Sequence, residues 1–272
     1  MEKISVLMSV YKNDKPEWLE LSIESIINQT LPPSEIILIV DGPVDDQLNN
    51  KIEELCNKHK IIKLFRNEQN VGLGITLNKG ILECENEIVA RMDSDDYSLP
   101  TRFEEQFNLM QQNNLDLVGS AVEEFIEDVQ NVVSIKNVPT TQTEIVEYAK
   151  TRNPFCHPSV MFKKSKVLES GSYIDMHFCE DYYLWVRMIQ KGCKVGNISK
   201  PLVKMRVSED LYARRGGLSY YKSQKQLLKY MKKTKFISGL TYLKSKLIRF
   251  TVQVLMPNKL RQKFYNKKLR KG

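Results

Sequence analysis

The stretch Ile88-Val89-Ala90-Arg91-Met92-Asp93-Ser94-Asp95-Asp96 sets a short apolar run directly against three carboxylates. A short apolar run before a turn signal reads as a buried strand. Unpaired acids cannot continue through a core, so the strand must surface at Asp93. Asp93 and Asp95 are two residues apart, and an extended chain turns such residues to the same side. Two hard oxygen ligands on one side of a strand end suit a divalent cation that also holds phosphates. The stretch therefore points to chemistry on a nucleotide-linked substrate.

Outward from that strand the same grammar repeats. Ile4–Val10 reads as a first buried strand. A helix follows, opened by Pro16-Glu17, with Leu19, Ile23, Ile26 and Ile27 at helical spacing, and Pro32-Pro33 stops it. Ile36–Val40 is a second strand that ends in Asp41-Gly42-Pro43. A helix over 45–59 carries Leu48, Ile52 and Leu55 on one side. Ile61–Phe65 is a third strand, Leu73–Leu82 a helix, and Ile88–Met92 the fourth strand. Alternating strands and helices, with apolar runs covered on both faces, predict an α/β domain with a mainly parallel sheet flanked by helices. Ligands of such sheets sit beyond the carboxyl ends of the strands, so Asp41, Asp93 and Asp95 are expected to converge at one crevice. After Asp96 the alternation weakens to a helix over 101–113, a strand over 116–125 and a helix over 143–151. The loop Asn153–Ser159 then leads into a strand at Val160–Phe162.

With 272 residues, 42% of them hydrophobic, the chain can bury one large core plus an appendage. Its five cysteines are scattered and form no CxxC pair, which argues for a reducing compartment and against structural zinc. The start Met1-Glu2-Lys3 followed by Ile4–Val10 does not read as a signal peptide. No apolar run reaches the roughly 18 residues of a membrane span.

The net charge of +8 hides a division. Residues 1–200 hold 21 Lys and Arg against 31 Asp and Glu; residues 201–272 hold 20 against only Glu209 and Asp210. In residues 238–255, Leu240, Leu243, Leu247, Phe250 and Val254 share one helical face, with Lys246, Arg249 and Gln253 opposite. Farther on, Leu260, Phe264 and Leu269 lie among Lys and Arg. Basic amphipathic helices of this kind lie on anionic membrane surfaces. The competing reading, nucleic-acid binding, is disfavoured by the breadth of the apolar face. A third reading packs these helices on the main domain, with only their basic side exposed.

The motifs taken together resemble a known family. Val10-Tyr11 after strand one, Asp41-Gly42 after strand two, Asn70-Val71-Gly72 with Asn78-Lys79-Gly80, and Asp93-Ser94-Asp95-Asp96 resemble the nucleotide-binding half of the family 2 glycosyltransferases, which have the GT-A fold. Glu180-Asp181-Tyr182, followed by Trp185 and Arg187, resembles the family's second-half signature. The resemblance covers residues 3–207; each motif alone is weak, and five in order are strong. Ser9-Val10-Tyr11-Lys12, Asp41-Gly42-Pro43-Val44 and His157-Pro158-Ser159 resemble enzymes that assemble O-antigen or capsule repeat units.

The resemblance implies an inverting, metal-dependent transferase in surface-polysaccharide biosynthesis. It would move a hexose, glucose or galactose, from a UDP-sugar to an N-acetylhexosamine on undecaprenyl diphosphate, in a β1,3 linkage. It implies Asp95 as ligand of Mn²⁺ or Mg²⁺, Asp93 facing ribose and uracil, and Asp41 accepting the uracil N–H. Tyr11, Asn70 and Asn78 complete the nucleotide-sugar set. Asp181 is implied as general base, with Glu180 in support. His157, Arg214 and Arg215 are candidate contacts to the acceptor or its diphosphate; a structural histidine and the basic surface of the tail are the competing readings. Val40-Asp41 supplies one acid where relatives have two, Ser9 replaces the usual proline and Lys12 the usual asparagine.

The expected organisation is a GT-A domain over 1–207, with a nucleotide half at 1–100 and an acceptor half at 101–207. A basic helical membrane-association region would follow over 208–272. The expected location is peripheral, at the cytoplasmic face of the inner membrane, with no nucleic-acid partner. A catalytically inactive scaffold, or a transferase for another acceptor such as lipooligosaccharide or teichoic acid, are the alternatives; hydrolysis of UDP-sugar separates the first.

Overall fold

The computed structural model describes residues 3–208, 215–258, 260 and 261. The first half alternates as the apolar runs dictate: β1 (Ile4–Val10), α1 (Pro16–Ile27), β2 (Glu35–Asp41), α2 (Asp46–Lys58), β3 (Ile62–Asn67), α3 (Leu73–Glu83) and β4 (Ile88–Asp93). Local chemistry sets the ends. Pro16 opens α1, where its missing N–H costs nothing. Asp45 caps α2 by accepting from the Leu48 N–H.

The second half contains β5 (Tyr97–Ser98), α4 (Arg102–Asn113), β6 (Leu117–Phe125), β7 (Val132–Lys136), α5 (Gln142–Ala149), β8 (Met161–Lys163), α6 (Lys164–Glu169), α7 (Glu180–Gln190) and β9 (Val195–Arg206). Thr141 and Glu144 form a capping box on α5. Two helices follow, α8 (Gly217–Lys233) and α9 (Gly239–Phe250), and a π-helical turn at Thr251–Leu255.

One nine-stranded sheet runs through both halves, in the order β3-β2-β1-β4-β8-β6-β9-β5, with β7 beside β6. The strands β1 to β4 pair in parallel, so their carboxyl ends share one edge. The register sets Ser9 opposite Asp93 and Asp41 opposite Asn67. Past β4 the pairing is antiparallel at β8, β7 and β5; only β6 and β9 run parallel there.

Side-chain alternation sorts the core into two layers. Val6, Met8, Val10, Ala90 and Met92 meet α1, α2 and α4 on one face. Leu7, Ile37, Ile39 and Val89 meet Leu77, Ile81, Tyr173, Leu184 and Trp185 on the other.

A smaller cluster seats α8 on α7: Leu227, Leu228 and Met231 pack with Met176, Cys179, Tyr182 and Val186, and Ile237 and Tyr242 close it. On α9 it is Tyr242 and Ser245 that turn inward. The leucines of the predicted apolar face point away: Leu240 is 78% exposed, Leu243 60% and Leu247 67%. α9 thus packs on the main body by one side, and its exposed side carries the leucine ridge rather than basic residues alone, which departs from the third reading. Phe264 and Leu269 lie outside the described residues. Among the described residues, no helix is long and apolar enough to cross a membrane.

Candidate active site

At the carboxyl edge of the sheet, β4 ends in the acids that the sequence singled out. Carboxylate oxygens of Asp93, Asp95 and Asp96 lie within 4.8 Å of one another. Asp14, which the sequence reading passed over, joins them from the loop after β1. Its carboxylate accepts from the Tyr11 N–H (2.9 Å) and the Ser94 hydroxyl (2.8 Å). Burial raises Asp14 to about 6. Asp95 is pushed up to about 7, first by burial and then by the charges of Asp93 and Asp14. Asp96 is fully buried and is also raised, by burial and by its two neighbours. One of its oxygens accepts from the Arg206 N–H (2.7 Å) and the other has no partner. Crowded, uncompensated carboxylate oxygens suit a hard divalent cation, so this donor set fits Mn²⁺ or Mg²⁺.

Asp41 ends β2 and is buried. Its carboxylate accepts from the amides of Val71 (2.9 Å) and Gly72 (3.0 Å) and from Asn67 Nδ2 (2.9 Å). Asn70 Nδ2 donates to the Asp41 carbonyl (3.1 Å). Asp41 thus organises the loop between β3 and α3, and Oδ2 keeps capacity for one more donor. Asn67 and Asn70 tie this loop, and Asn78 makes no side-chain hydrogen bond among the described residues. Tyr11 stands half-exposed at the end of β1.

Glu180 and Asp181 form the first turn of α7, where the helix dipole favours anions. Asp181 accepts from Asn153 Nδ2 and the Tyr182 N–H, both at 2.6 Å. Burial still raises its carboxyl above the usual range. Glu180 is pushed up to about 7 by burial and then by Asp181, and its Oε2 is buried with no partner. Arg187 does not neutralise them, because it donates to the carbonyls of Ser170 and Ser172.

His157 lies in a nest with Tyr173 and Trp185, its Nε2 at 3.1 Å from the Tyr173 hydroxyl. Burial, and then the Arg91 charge, holds its pKa well below the ordinary value, so the ring is neutral. Arg215 stands in the turn that enters α8; Arg214 lies outside the described residues.

The sequence reading also passed over three arginines. Arg91 is buried within β4 and pairs through Nη2 with Asp93. Arg102, equally buried, donates to the Arg91 carbonyl (2.7 Å). Arg206 donates to the Asp95 carbonyl (3.1 Å) and packs over Trp18 and Phe125. For Arg91 a signal existed: a charge inside an otherwise apolar strand demands a partner. Arg102 and Arg206 had none, since nothing local distinguishes them from surface arginines.

Residues 5–170 match the family described as Glycosyl transferase family 2. The amylovoran biosynthesis glycosyltransferase AmsE of Erwinia amylovora is 40% identical, over 98% of this chain and 99% of that protein. An Escherichia coli protein named UDP-Gal:alpha-D-GlcNAc-diphosphoundecaprenol beta-1,3-galactosyltransferase is 36% identical, over 99% of this chain and 97% of its own. Among solved structures, S. aureus TarS 1–349 in complex with UDP-GlcNAc aligns with a TM-score of 0.69 at 15% identity, over 98% of this chain and 76% of that one. The chain spans 45% of a longer TarS chain, so this likeness concerns the fold.

Proposed function

The chain belongs to glycosyl transferase family 2, and on that premise we propose that it moves a hexose, galactose or glucose, from UDP to an N-acetylhexosamine on a lipid diphosphate, with inversion, in a β1,3 bond. The name of the Escherichia coli relative supports the donor, acceptor and linkage. The observation that carries the reading is the gathering of acids at one end of the fold: Asp93, paired with the buried Arg91, clusters with Asp95 and Asp96, and α7, which covers the same face of the sheet, begins with Glu180 and Asp181.

In this reading residues 1–100 hold the nucleotide and 101–207 the acceptor. Oδ2 of Asp41 accepts the uracil N–H while its other contacts fix the loop; Asp93 faces the ribose. Tyr11, Asn70 and Asn78 flank the nucleotide sugar. Asp95, with Asp93 and Asp96 alongside, would hold Mn²⁺ or Mg²⁺. That ion would supply neutralisation of the charge growing on the departing diphosphate. Asp181 takes the proton of the acceptor hydroxyl as its oxygen bonds to the anomeric carbon and the bond to UDP breaks. Burial strengthens Asp181 as a base, and Asn153 aims it. Glu180 supports it, and Arg215, in the turn that enters α8, offers a positive charge to the acceptor diphosphate, whereas the neutral His157 serves packing.

The leucine ridge of α9 lies among lysines and faces an anionic lipid surface, which fits peripheral placement at the cytoplasmic face of a bacterial inner membrane. Asp181→Asn tests the base assignment. Turnover should fall about 10²–10⁴-fold, with UDP affinity unchanged and a product of inverted anomeric configuration from the wild type. Unchanged turnover removes the base; a retained anomeric configuration removes the mechanism.

A further inference from the structure

Arg91 is 1% exposed, yet two of its donors, Nε and Nη1, have no hydrogen-bond partner. Only Nη2 is engaged, on Asp93. Buried guanidinium donors left unmet are costly, so a fold that keeps them has a use for them. Strand alternation puts Arg91 on the same face as Val89 and Asp93, the face covered by α3 and α7. Asp93, its ion-pair partner, lies on the nucleotide side, and α7, which covers this face through Leu184 and Trp185, carries Glu180 and Asp181 on the acceptor side. The part of a nucleotide sugar that spans those two sides is the sugar.

The orphaned atoms also have the chemistry of a sugar site. Nε and Nη1 of Arg91 offer donors, and Oε2 of Glu180 offers an acceptor that is equally buried and unpaired. A phosphate oxygen could satisfy only the donors. A hydroxyl both donates and accepts, so a polyhydroxylated ring satisfies both.

We propose that Arg91 is a binding residue for the donor sugar, its Nε–H and Nη1–H donating to hydroxyl oxygens of the hexose while Nη2 keeps Asp93 in place. The inference rests on the proposed UDP-hexose reading. It adds a sugar contact inside strand β4 itself, on the rigid sheet, where no loop motion can remove it.

The test compares Kd for UDP with Kd for the UDP-hexose that the wild type hydrolyses fastest among UDP-galactose, UDP-glucose and UDP-N-acetylglucosamine. Calorimetry with Mn²⁺ supplies both numbers. Arg91→Lys keeps a cation beside Asp93 but loses the planar fork. It should weaken UDP-hexose about tenfold or more beyond any loss for UDP. Arg91→Met should do the same and lower kcat. Asp93→Asn, as a control on the nucleotide side, should weaken both ligands alike. Equal losses of UDP and UDP-hexose in Arg91→Lys overturn the proposal and place the contact on the nucleotide. No loss of either also overturns it and leaves Nε and Nη1 to buried water. A melting curve confirms that Arg91→Lys is folded. Should wild type bind neither ligand, it is the UDP-hexose reading that fails, and the two failures are distinct.

Discussion

Asp95 is the residue whose surroundings most oppose its charge while leaving it open to a cation. An unfolded aspartate titrates near ~3.9, whereas burial and the neighbouring Asp93 and Asp14 carry Asp95 to about 7 in the fold. Between those values the folded protein binds a proton that the unfolded chain releases. The stability linked to this group is full below about pH 4 and is lost as pH rises through about 7. Glu180, also near 7, has the same sign, as does Asp14 near 6. The metal-free protein should therefore melt several degrees lower at pH 8 than at pH 5.5. Asp95→Asn should recover a few degrees at pH 8 and little at pH 5.5. Mn²⁺ should raise the wild-type melting temperature at pH 8 but not that of the variant. Scanning fluorimetry with chelator and with Mn²⁺ reads all of this; a variant less stable at pH 8 would contradict the electrostatic account. The acids themselves were legible, because a charge run at a strand end has few explanations. Their partners were less so, since Asp14 and Arg206 reach the site from sequence positions 81 residues before and 111 after Asp95.

At the scale of elements, the start of α3 shows two glycines needed for different reasons. The glycines of Gly72-Leu73-Gly74 suggest a backbone passing near a ligand. Gly72 is needed for its φ of +88°, with open space around it. Gly74 is needed for room: a Cβ there would lie 2.4 Å from the carbonyl oxygen of Ile174 and 3.3 Å from the Cβ of Glu180. The start of α3 thus rests on the segment that leads into α7. A backbone carbonyl cannot swing aside as a side chain can. Gly74→Ala should therefore cost about 1–3 kcal/mol and lower kcat more than it weakens UDP, by parting the donor loop from Asp181. Urea unfolding and steady-state rates check both; a variant as stable and active as wild type would show that the contact yields. The strands β1, β2 and β4 were readable because each is a buried apolar run, and the half-buried β3 at the sheet edge because Ile61–Phe65 is mostly apolar. The strand β9 was not: Ser199-Lys200-Pro201 interrupts it, and its register against β6 shifts there. It is held by pairing with β6 and β5, which no local pattern encodes.

For the whole molecule, the charge division from sequence meets a division of α9 that only the fold reveals. Tyr242 is buried in the cluster that seats α8 on α7, and Ile237 beside it. Arg249 donates to the Thr151 carbonyl (2.8 Å), two residues from the Asn153 that holds Asp181. The C-terminal helices are therefore part of the catalytic body, and deleting them would expose the α8 cluster as well as remove the ridge. Substituting only the exposed leucines separates the two effects. Leu240→Ser with Leu243→Ser and Leu247→Ser should leave the melting temperature within about 2 °C, because these side chains already face water. Each leucine buried in a bilayer contributes about 1.5–3 kcal/mol. The triple variant should therefore lose tenfold or more of its binding to phosphatidylglycerol vesicles in a sedimentation assay. High salt should weaken the wild type through its lysines while leaving the leucine contribution in place. Equal binding by wild type and variant would mean that the ridge meets something other than lipid. Loss of binding with intact hydrolysis of UDP-sugar would instead show that membrane and chemistry are served by separate faces, joined through Arg249 and the segment that carries Asn153.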